Sequence, residues 1–209
     1  MNYTLEDIFR ALDLRHTRQV REKLWNARVG IGGIGGLGSH TALALARAGI
    51  GHLHIVDDDE VDLSNINRQA YFLSQVGKKK TDALIEIIRN INPYIEVRAD
   101  CCRVTEENIP ELFREDRIIC EAFDLAENKA AFVNGVLMGL PEATVVSGSG
   151  MAGWGDTNQI RTRRVTKHLY ICGDENSGLE SGLQLTAPRV MACAAHQANA
   201  VLRLILGEE

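Results

Sequence analysis

Glycine fills six of the twelve positions from Arg28 to Ser39, in the order Arg28-Val29-Gly30-Ile31-Gly32-Gly33-Ile34-Gly35-Gly36-Leu37-Gly38-Ser39. No helix or strand interior tolerates that density, so a tight turn lies here. The flanking residues say what it joins. Arg28 to Gly32 reads as a short strand, and Ser39 to Ala48, rich in Ala and Leu, reads as a helix stopped by Gly49. Two registers of the G-x-G-x-x-G pattern overlap. The register Gly30, Gly32, Gly35 would leave almost no strand. The register Gly33, Gly35, Gly38 keeps it, and is adopted. Such glycines let the backbone approach phosphate, and the helix N-terminus behind them offers unpaired N–H groups and a positive dipole end. A bare strand-to-helix turn would show the same glycines, so the next segment matters. His52 to Val56 reads as a strand ending in Asp57-Asp58-Asp59-Glu60. An acid closing the second strand, about 20 residues past the turn, suits a ribose; Asp57 is that acid.

The chain has 209 residues and a formal charge of -5, which predicts one domain and argues against broad nucleic-acid binding. No apolar run approaches membrane-spanning length, and the N-terminus lacks a signal-peptide pattern, so the expected location is the cytoplasm. The five cysteines, Cys101, Cys102, Cys120, Cys172 and Cys193, form no C-x-x-C pair. That spacing disfavours a thiolate zinc site, and no zinc is expected.

Along the chain, residues 1–26 read as a helical N-terminal arm: Leu5 to Leu14 and Val20 to Asn26 have helical spacing around the basic cluster Arg15-His16-Thr17-Arg18-Gln19. Residues 27–155 read as a nucleotide-binding core. Val61 to Gln69 has no clear period and reads as a loop or short helical turns. Thr81 to Asn90 is an amphipathic helix following Lys78-Lys79-Lys80. Three lysines at a helix start oppose its dipole, so Lys80 is assigned to a phosphate, with Lys78 and Lys79 solvated. Strands are expected at Tyr94–Ala99, Arg117–Ala122 and Ala143–Ser147, with helices at Glu106–Arg114 and Ala126–Met138 between them. Asp124 follows the carboxyl end of the Arg117 strand, on the same rim as Gly33 and Asp57, where open α/β sheets bind ligands. Residues 156–209 read as a hairpin leaving the nucleotide half, a polar mobile loop from Gly173 to Gly182, and a helix from Arg189 to Leu206. The fold class is therefore α/β, a Rossmann-like doubly wound, mostly parallel sheet with a helical arm and a C-terminal antiparallel extension plus helix.

A dehydrogenase would explain the glycines and Asp57 but not Arg68, Lys80 and Asp124 on one rim. A triphosphate with Mg2+ explains them better. The chain has no G-x-x-x-x-G-K-[ST] sequence, so it is not an ordinary P-loop enzyme. A carboxylate nucleophile is already ionised at neutral pH and needs no general base.

Five motifs, Gly33-Ile34-Gly35-Gly36-Leu37-Gly38, Val56-Asp57-Asp58-Asp59, Leu63-Ser64-Asn65-Ile66-Asn67-Arg68-Gln69, Val76-Gly77-Lys78-Lys79-Lys80 and Glu121-Ala122-Phe123-Asp124, together with Thr186-Ala187-Pro188-Arg189-Val190, carry a family resemblance. From about Arg15 onward the chain resembles the ubiquitin-activating-like ThiF/MoeB adenylyltransferases, and its brevity resembles the ThiF branch. That resemblance implies ATP- and Mg2+-dependent adenylation of the C-terminal glycine of a small ubiquitin-like sulfur carrier of the ThiS type, within a homodimer. It implies a nucleotide site of Gly33, Gly35, Gly36, Gly38, Asp57, Asp59, Asn65, Arg68, Gln69 and Lys80. Asp57 would hold the ribose, Asn65, Arg68 and Lys80 phosphates, and Asp124 Mg2+. Arg18 would reach the partner subunit's ATP. Arg18, Arg68, Lys80 and Asp124 form the implied catalytic set. The family's zinc pairs are absent, and of its sulfur-handling cysteine Cys172 is the nearby candidate, in a motif that does not match; packing is the preferred reading. Alternatives are another carrier, a peptide or a modified tRNA as acceptor, an inactive scaffold, or an NAD-binding dehydrogenase.

Overall fold

The computed structural model describes residues 3–178 and 182–208. The arm comes first: α1 (Leu5–Asp13), capped by Thr4, then α2 (Arg18–Trp25), capped by Thr17. The arm lies on its own domain: Leu24 is part of the main core, and Lys23 Nζ donates to Leu206 O at 3.4 Å. Phe9 packs edge-on against Trp25 at 4.9 Å between ring centroids, and Arg21 stacks over Phe9 while pairing with Asp13 at 2.9 Å.

The core follows as β1 (Arg28–Gly32), α3 (Gly36–Ala48), β2 (His52–Val56), α4 (Lys80–Ile91), β3 (Glu96–Asp100), α5 (Ile109–Leu112), β4 (Ile118–Glu121), α6 (Ala126–Gly139) and β5 (Thr144–Gly148). Then come β6 (Arg161–Thr166), β7 (Leu169–Gly173) and α7 (Ala187–Leu206). The described strands form a seven-stranded sheet in the order β3-β2-β1-β4-β5-β7-β6, parallel except for the β6–β7 pair. β1 is flanked by β2 and β4, so the chain reverses its direction of winding between β1 and β4. That switch point is where doubly wound sheets open a crevice at the carboxyl ends of the strands.

The inner strands β1, β2, β4 and β5 are buried on both faces, which is why they read as short apolar runs, whereas the edge strand β3 is half-exposed and carries Glu96, Arg98 and Asp100. One face packs Ile31, Ile55, Leu45, Ala42 and Val201 against α3 and α7; the other packs Phe113, Phe132, Ile109, Val136 and Val145 around α5 and α6. The buried polar residue His54 sits between Asp116 at 2.5 Å and Asp100 at 2.9 Å, tying β2, the end of β3 and the turn before β4 together. Gly30 makes room for this clasp: a Cβ there would lie 2.9 Å from Asp116 Oδ2.

Four expectations are corrected. The first core helix starts three residues before Ser39, because Gly35 serves as its N-cap. The strand expected at Tyr94–Ala99 is Glu96–Asp100, because Tyr94 N donates to Asn92 Oδ1 in a turn. The helix expected over Glu106–Arg114 shortens to Ile109–Leu112. The hairpin does not leave the nucleotide half: β7 pairs parallel with β5, with Val145 opposite Leu169, and extends the same sheet. The loop expected from Gly173 to Gly182 includes residues 179–181, which lie outside the described residues; Asp174 to Gly178 is folded back on the 149–152 segment. No described helix is long and apolar enough to cross a membrane.

Candidate active site

The glycine turn sets the site. Gly33 has φ +82°, a conformation that favours glycine, and its N–H donates to Val56 O at 2.9 Å. A Cβ on Gly38 would lie 1.9 Å from Gly33 O, so Gly38 lets α3 pack against the turn and does not itself line the cleft. The turn is braced from β2. Asp57 Oδ2 accepts from Ile34 N at 2.7 Å and Oδ1 accepts from Asp59 N at 2.9 Å. Burial pushes the Asp57 carboxyl above its ordinary range, against the pull of Lys80 and these two N–H groups.

Lys80 is the first residue of α4 and its side chain is only 6% exposed. Its ammonium lies 2.5 Å from Asp59 Oδ2 and 3.6 Å from Asp57 Oδ1, so a buried cation is held at the mouth of the turn by two carboxylates. Lys78 and Lys79 instead pair on the surface with Glu86 and Glu60.

The 64–71 segment is stitched to α3 and its turn. Ala70 N donates to Ser39 Oγ, Tyr71 Oη donates to Ile34 O at 2.7 Å, and His40 Nε2 lies 3.2 Å from Arg68 O. Burial lowers the His40 pKa, which suits a neutral ring, and pushes the Tyr71 phenol well up. Arg68 donates to Ser64 O and Asn67 Oδ1, and with Gln69 forms part of the cleft wall. Asn65 is not on that wall. Its Oδ1 accepts from Asp62 N and caps a 3-10 turn.

On the opposite side, β4 ends in Glu121, fully buried. Its carboxylate accepts from Phe123 N at 2.7 Å, Ser147 Oγ at 2.5 Å and Lys129 Nζ at 3.1 Å. Lys129 also donates to Gly148 O at 2.8 Å, so the carboxyl ends of β4 and β5 are joined through α6. Asp124, three residues on, is exposed and lines the cleft. The cleft holds about 230 Å3, bounded by Gly33, Gly35, Gly36, Asp57, Asp59, Arg68, Gln69 and Lys80 on one side. On the other lie Asp124, Lys129, Ser149–Ala152, Ser177, Gly178 and Leu185. That volume lies just below the usual range of about 300–1,000 Å3 for small-molecule sites.

The structure thus brings together nine of the predicted residues and keeps three apart: Gly38 behind the turn, Asn65 in its 3-10 turn, and Arg18 on α2, 79% exposed and paired with Glu22 at 2.8 Å. Sequence reasoning missed Lys129 and the Ser149–Ala152 and Ser177–Gly178 walls. Lys129 lay eight residues past Glu121 in a helix that reads as an ordinary half-solvated face. Cys172 is buried in β7, its thiol pushed up to about 11 by burial, with Thr162 Oγ1 at 3.6 Å lowering it in part. A thiol so buried is a packing group rather than a nucleophile.

A cleft at the switch point of a doubly wound sheet, with cations and carboxylates on both of its walls and no P-loop sequence, is where such folds bind their ligands. The ThiF family profile matches residues 10–209, and the chain belongs to that family. It is 45% identical over 93 residues to the tRNA threonylcarbamoyladenosine dehydratase of Bacillus subtilis, covering 44% of this chain and 37% of that protein. It is 43% identical over 103 residues to the adenylyltransferase and sulfurtransferase uba4 of Aspergillus terreus, covering 49% of this chain and 21% of that one. The matched stretch therefore spans about a fifth to a little over a third of these relatives. Among solved structures, E. coli tRNA N6-threonylcarbamoyladenosine dehydratase TcdA in complex with ATP superposes with a TM-score of 0.88 at 21% identity, over 100% of this chain and 98% of that chain. E. coli MccB with ATP gives 0.71 at 24% identity, over 91% and 58%. Both likenesses show a shared fold.

Proposed function

We propose that this chain uses ATP to adenylate a carboxylate, releasing pyrophosphate, and that the carboxylate is the C-terminal glycine of a small ubiquitin-like sulfur carrier of the ThiS type, in thiamine thiazole synthesis. The observation that carries the adenylation is the pairing of Lys80 with Asp57 and Asp59 beside the Gly33 turn, facing Asp124 across one cleft. Lys80 and Arg68 supply charge for the phosphates, and the α3 N-terminus supplies N–H groups and its dipole. Asp57 and the neighbouring backbone set the ribose. The acyl carboxylate attacks the α-phosphorus, a P–O bond forms, and pyrophosphate leaves with the electron pair of the broken bond; positioning and charge supply the rate. The carrier assignment rests on the resemblance to the short ThiF branch.

The donor set fits Mg2+. Glu121 is fully engaged and both Asp57 oxygens already accept N–H groups, whereas Asp124 is an exposed carboxylate on the cleft wall. Mg2+ commonly takes one or two carboxylates plus substrate phosphates. When bound by Asp124, the ion would supply charge neutralisation at the phosphates. The chain works without structural zinc in this reading, having no C-x-x-C pair. The working unit is a homodimer in which the exposed Arg18 acts at the partner's cleft, with Asn65 joining the phosphate contacts once nucleotide is bound.

A second reading takes a modified tRNA as the acyl substrate. β6 favours it. Every residue of β6 is exposed, and Arg161, Arg163, Arg164 and Lys167 follow one another with no acid between in sequence, Arg163 pairing across with Glu175 at 2.6 Å. Such a basic edge suits an RNA backbone, although the net charge of -5 opposes general nucleic-acid affinity. Incubation with ATP, Mg2+ and a purified ThiS-type carrier tests the first reading: the carrier should gain the mass of one AMP group. An unchanged carrier with an AMP-modified tRNA would transfer the proposal to RNA.

A further inference from the structure

α7 places an arginine where a helix disfavours one. Arg189 is the third residue of α7, in the first turn, where the dipole opposes a cation. It is 2% exposed. Its Nη2 donates to Asp174 Oδ2 at 2.5 Å and its Nη1 donates to Asp156 O at 3.1 Å, joining the crossover segment after β7 to the turn before β6. A buried ion pair adds little net stability over an apolar pair of similar size, so its value lies in fixing a geometry.

That geometry is the cleft wall. Asp174 also accepts from Asn176 N at 2.9 Å, Ser177 N at 2.8 Å and Ser177 Oγ at 2.5 Å, so one carboxylate folds the whole 174–177 turn. Burial acts to raise the Asp174 carboxyl, but the Ser177 and Asn176 hydrogen bonds and the Arg189 charge outweigh it, and the group is held below its ordinary value. The turn is tight enough to put Glu175 at φ +59° and to leave no room for a side chain at Gly150. Ser177 O then accepts from both Met151 N and Ala152 N at 3.1 Å. A mechanical path therefore runs from Arg189 through Asp174 and Ser177 to Met151 and Ala152, and its far end lines the half of the cleft away from Lys80.

We propose that Arg189 and Asp174 are positioning residues that hold this wall in place and thereby set the route by which the acyl substrate, not the nucleotide, reaches the cleft. The assignment of an acyl substrate rests on the adenylation reading above; the mechanical role does not. Two measurements on the full chain separate them. Amide hydrogen exchange without ligand should be at least about tenfold faster at Met151 and Ala152 in Arg189→Met and in Asp174→Asn, with the β1 and β4 amides unchanged. Arg189→Lys, which keeps the charge opposite Asp174, should restore most of the protection. In pyrophosphate exchange with a purified ThiS-type carrier, the same two variants should raise the carrier KM about tenfold while the ATP KM stays within about twofold. Unchanged exchange at Met151 and Ala152, or equal acceleration in β1 and β4, overturns the positioning role. Equal shifts in both KM values overturn the assignment to the acyl route. Failure of the unaltered protein to use that carrier counts against the carrier reading, and the hydrogen-exchange result still decides the role of the pair.

Discussion

Glu121 and Asp124 stand three residues apart and meet opposite environments. Glu121 ends β4 inside the fold, where Ser147, Lys129 and the Phe123 N–H take up its oxygens. Removing one partner of such a buried group leaves a charge unmatched, so changes there act through folding. Asp124 is exposed, and its loss leaves no cavity. Asp124→Ala should therefore unfold at the temperature of the unaltered chain yet lose Mg2+-dependent adenylation by about a thousandfold, since metal charge stabilisation is worth several kcal/mol. Near-normal adenylation would show that another group holds the ion. The sequence made Asp124 legible because it follows a strand end. It left Glu121 ambiguous, because nothing in a run of Ile, Ile, Cys and Glu says which neighbour pairs with the acid. Lys129 was hidden for the same reason.

Among the elements, the strand–turn–helix unit was the most legible, because glycine density and apolar runs are local signals. The Gly33, Gly35, Gly38 register matches the structure: Gly33 takes positive φ and Gly38 lies against Gly33 O. Gly38→Ala should destabilise the chain by about 3 kcal/mol, the upper part of the overpacking range, because a methyl group there meets backbone that cannot swing aside. A thermal unfolding midpoint equal to that of the unaltered protein would contradict the packing role of Gly38. The hairpin was legible as a hairpin but not in its place. Insertion of β7 between β5 and β6 depends on pairing Val145 with Leu169, across 24 residues, and alternation within one strand carries no record of its neighbour. The wall at Ser177 was missed because it depends on Arg189, in a different element.

At the scale of the molecule, the arm bears on assembly. Its apolar face meets the domain through Leu24, which sits in the main core, yet Leu14 stays exposed and, among the described residues, Arg18 pairs at the surface with Glu22. An arginine that acts across a two-fold interface would appear once at each site. Arg18→Ala should bind ATP nearly normally and adenylate slowly, whereas Lys80→Ala should weaken both. Mixing the two variants under conditions of confirmed subunit exchange should restore activity toward one working site per mixed dimer. Exchange without recovery would mean that Arg18 acts within its own chain or not at all.

The central claim is that one cleft joins ATP to the carboxyl end of a carrier. Incorporation of labelled pyrophosphate into ATP measures that step in both directions. With Mg2+ and a purified ThiS-type carrier the account predicts rapid exchange, abolished when the carrier's terminal glycine is deleted and unaffected by NAD. Exchange that is absent with every glycine-terminated carrier, or that survives deletion of the terminal glycine, would contradict it.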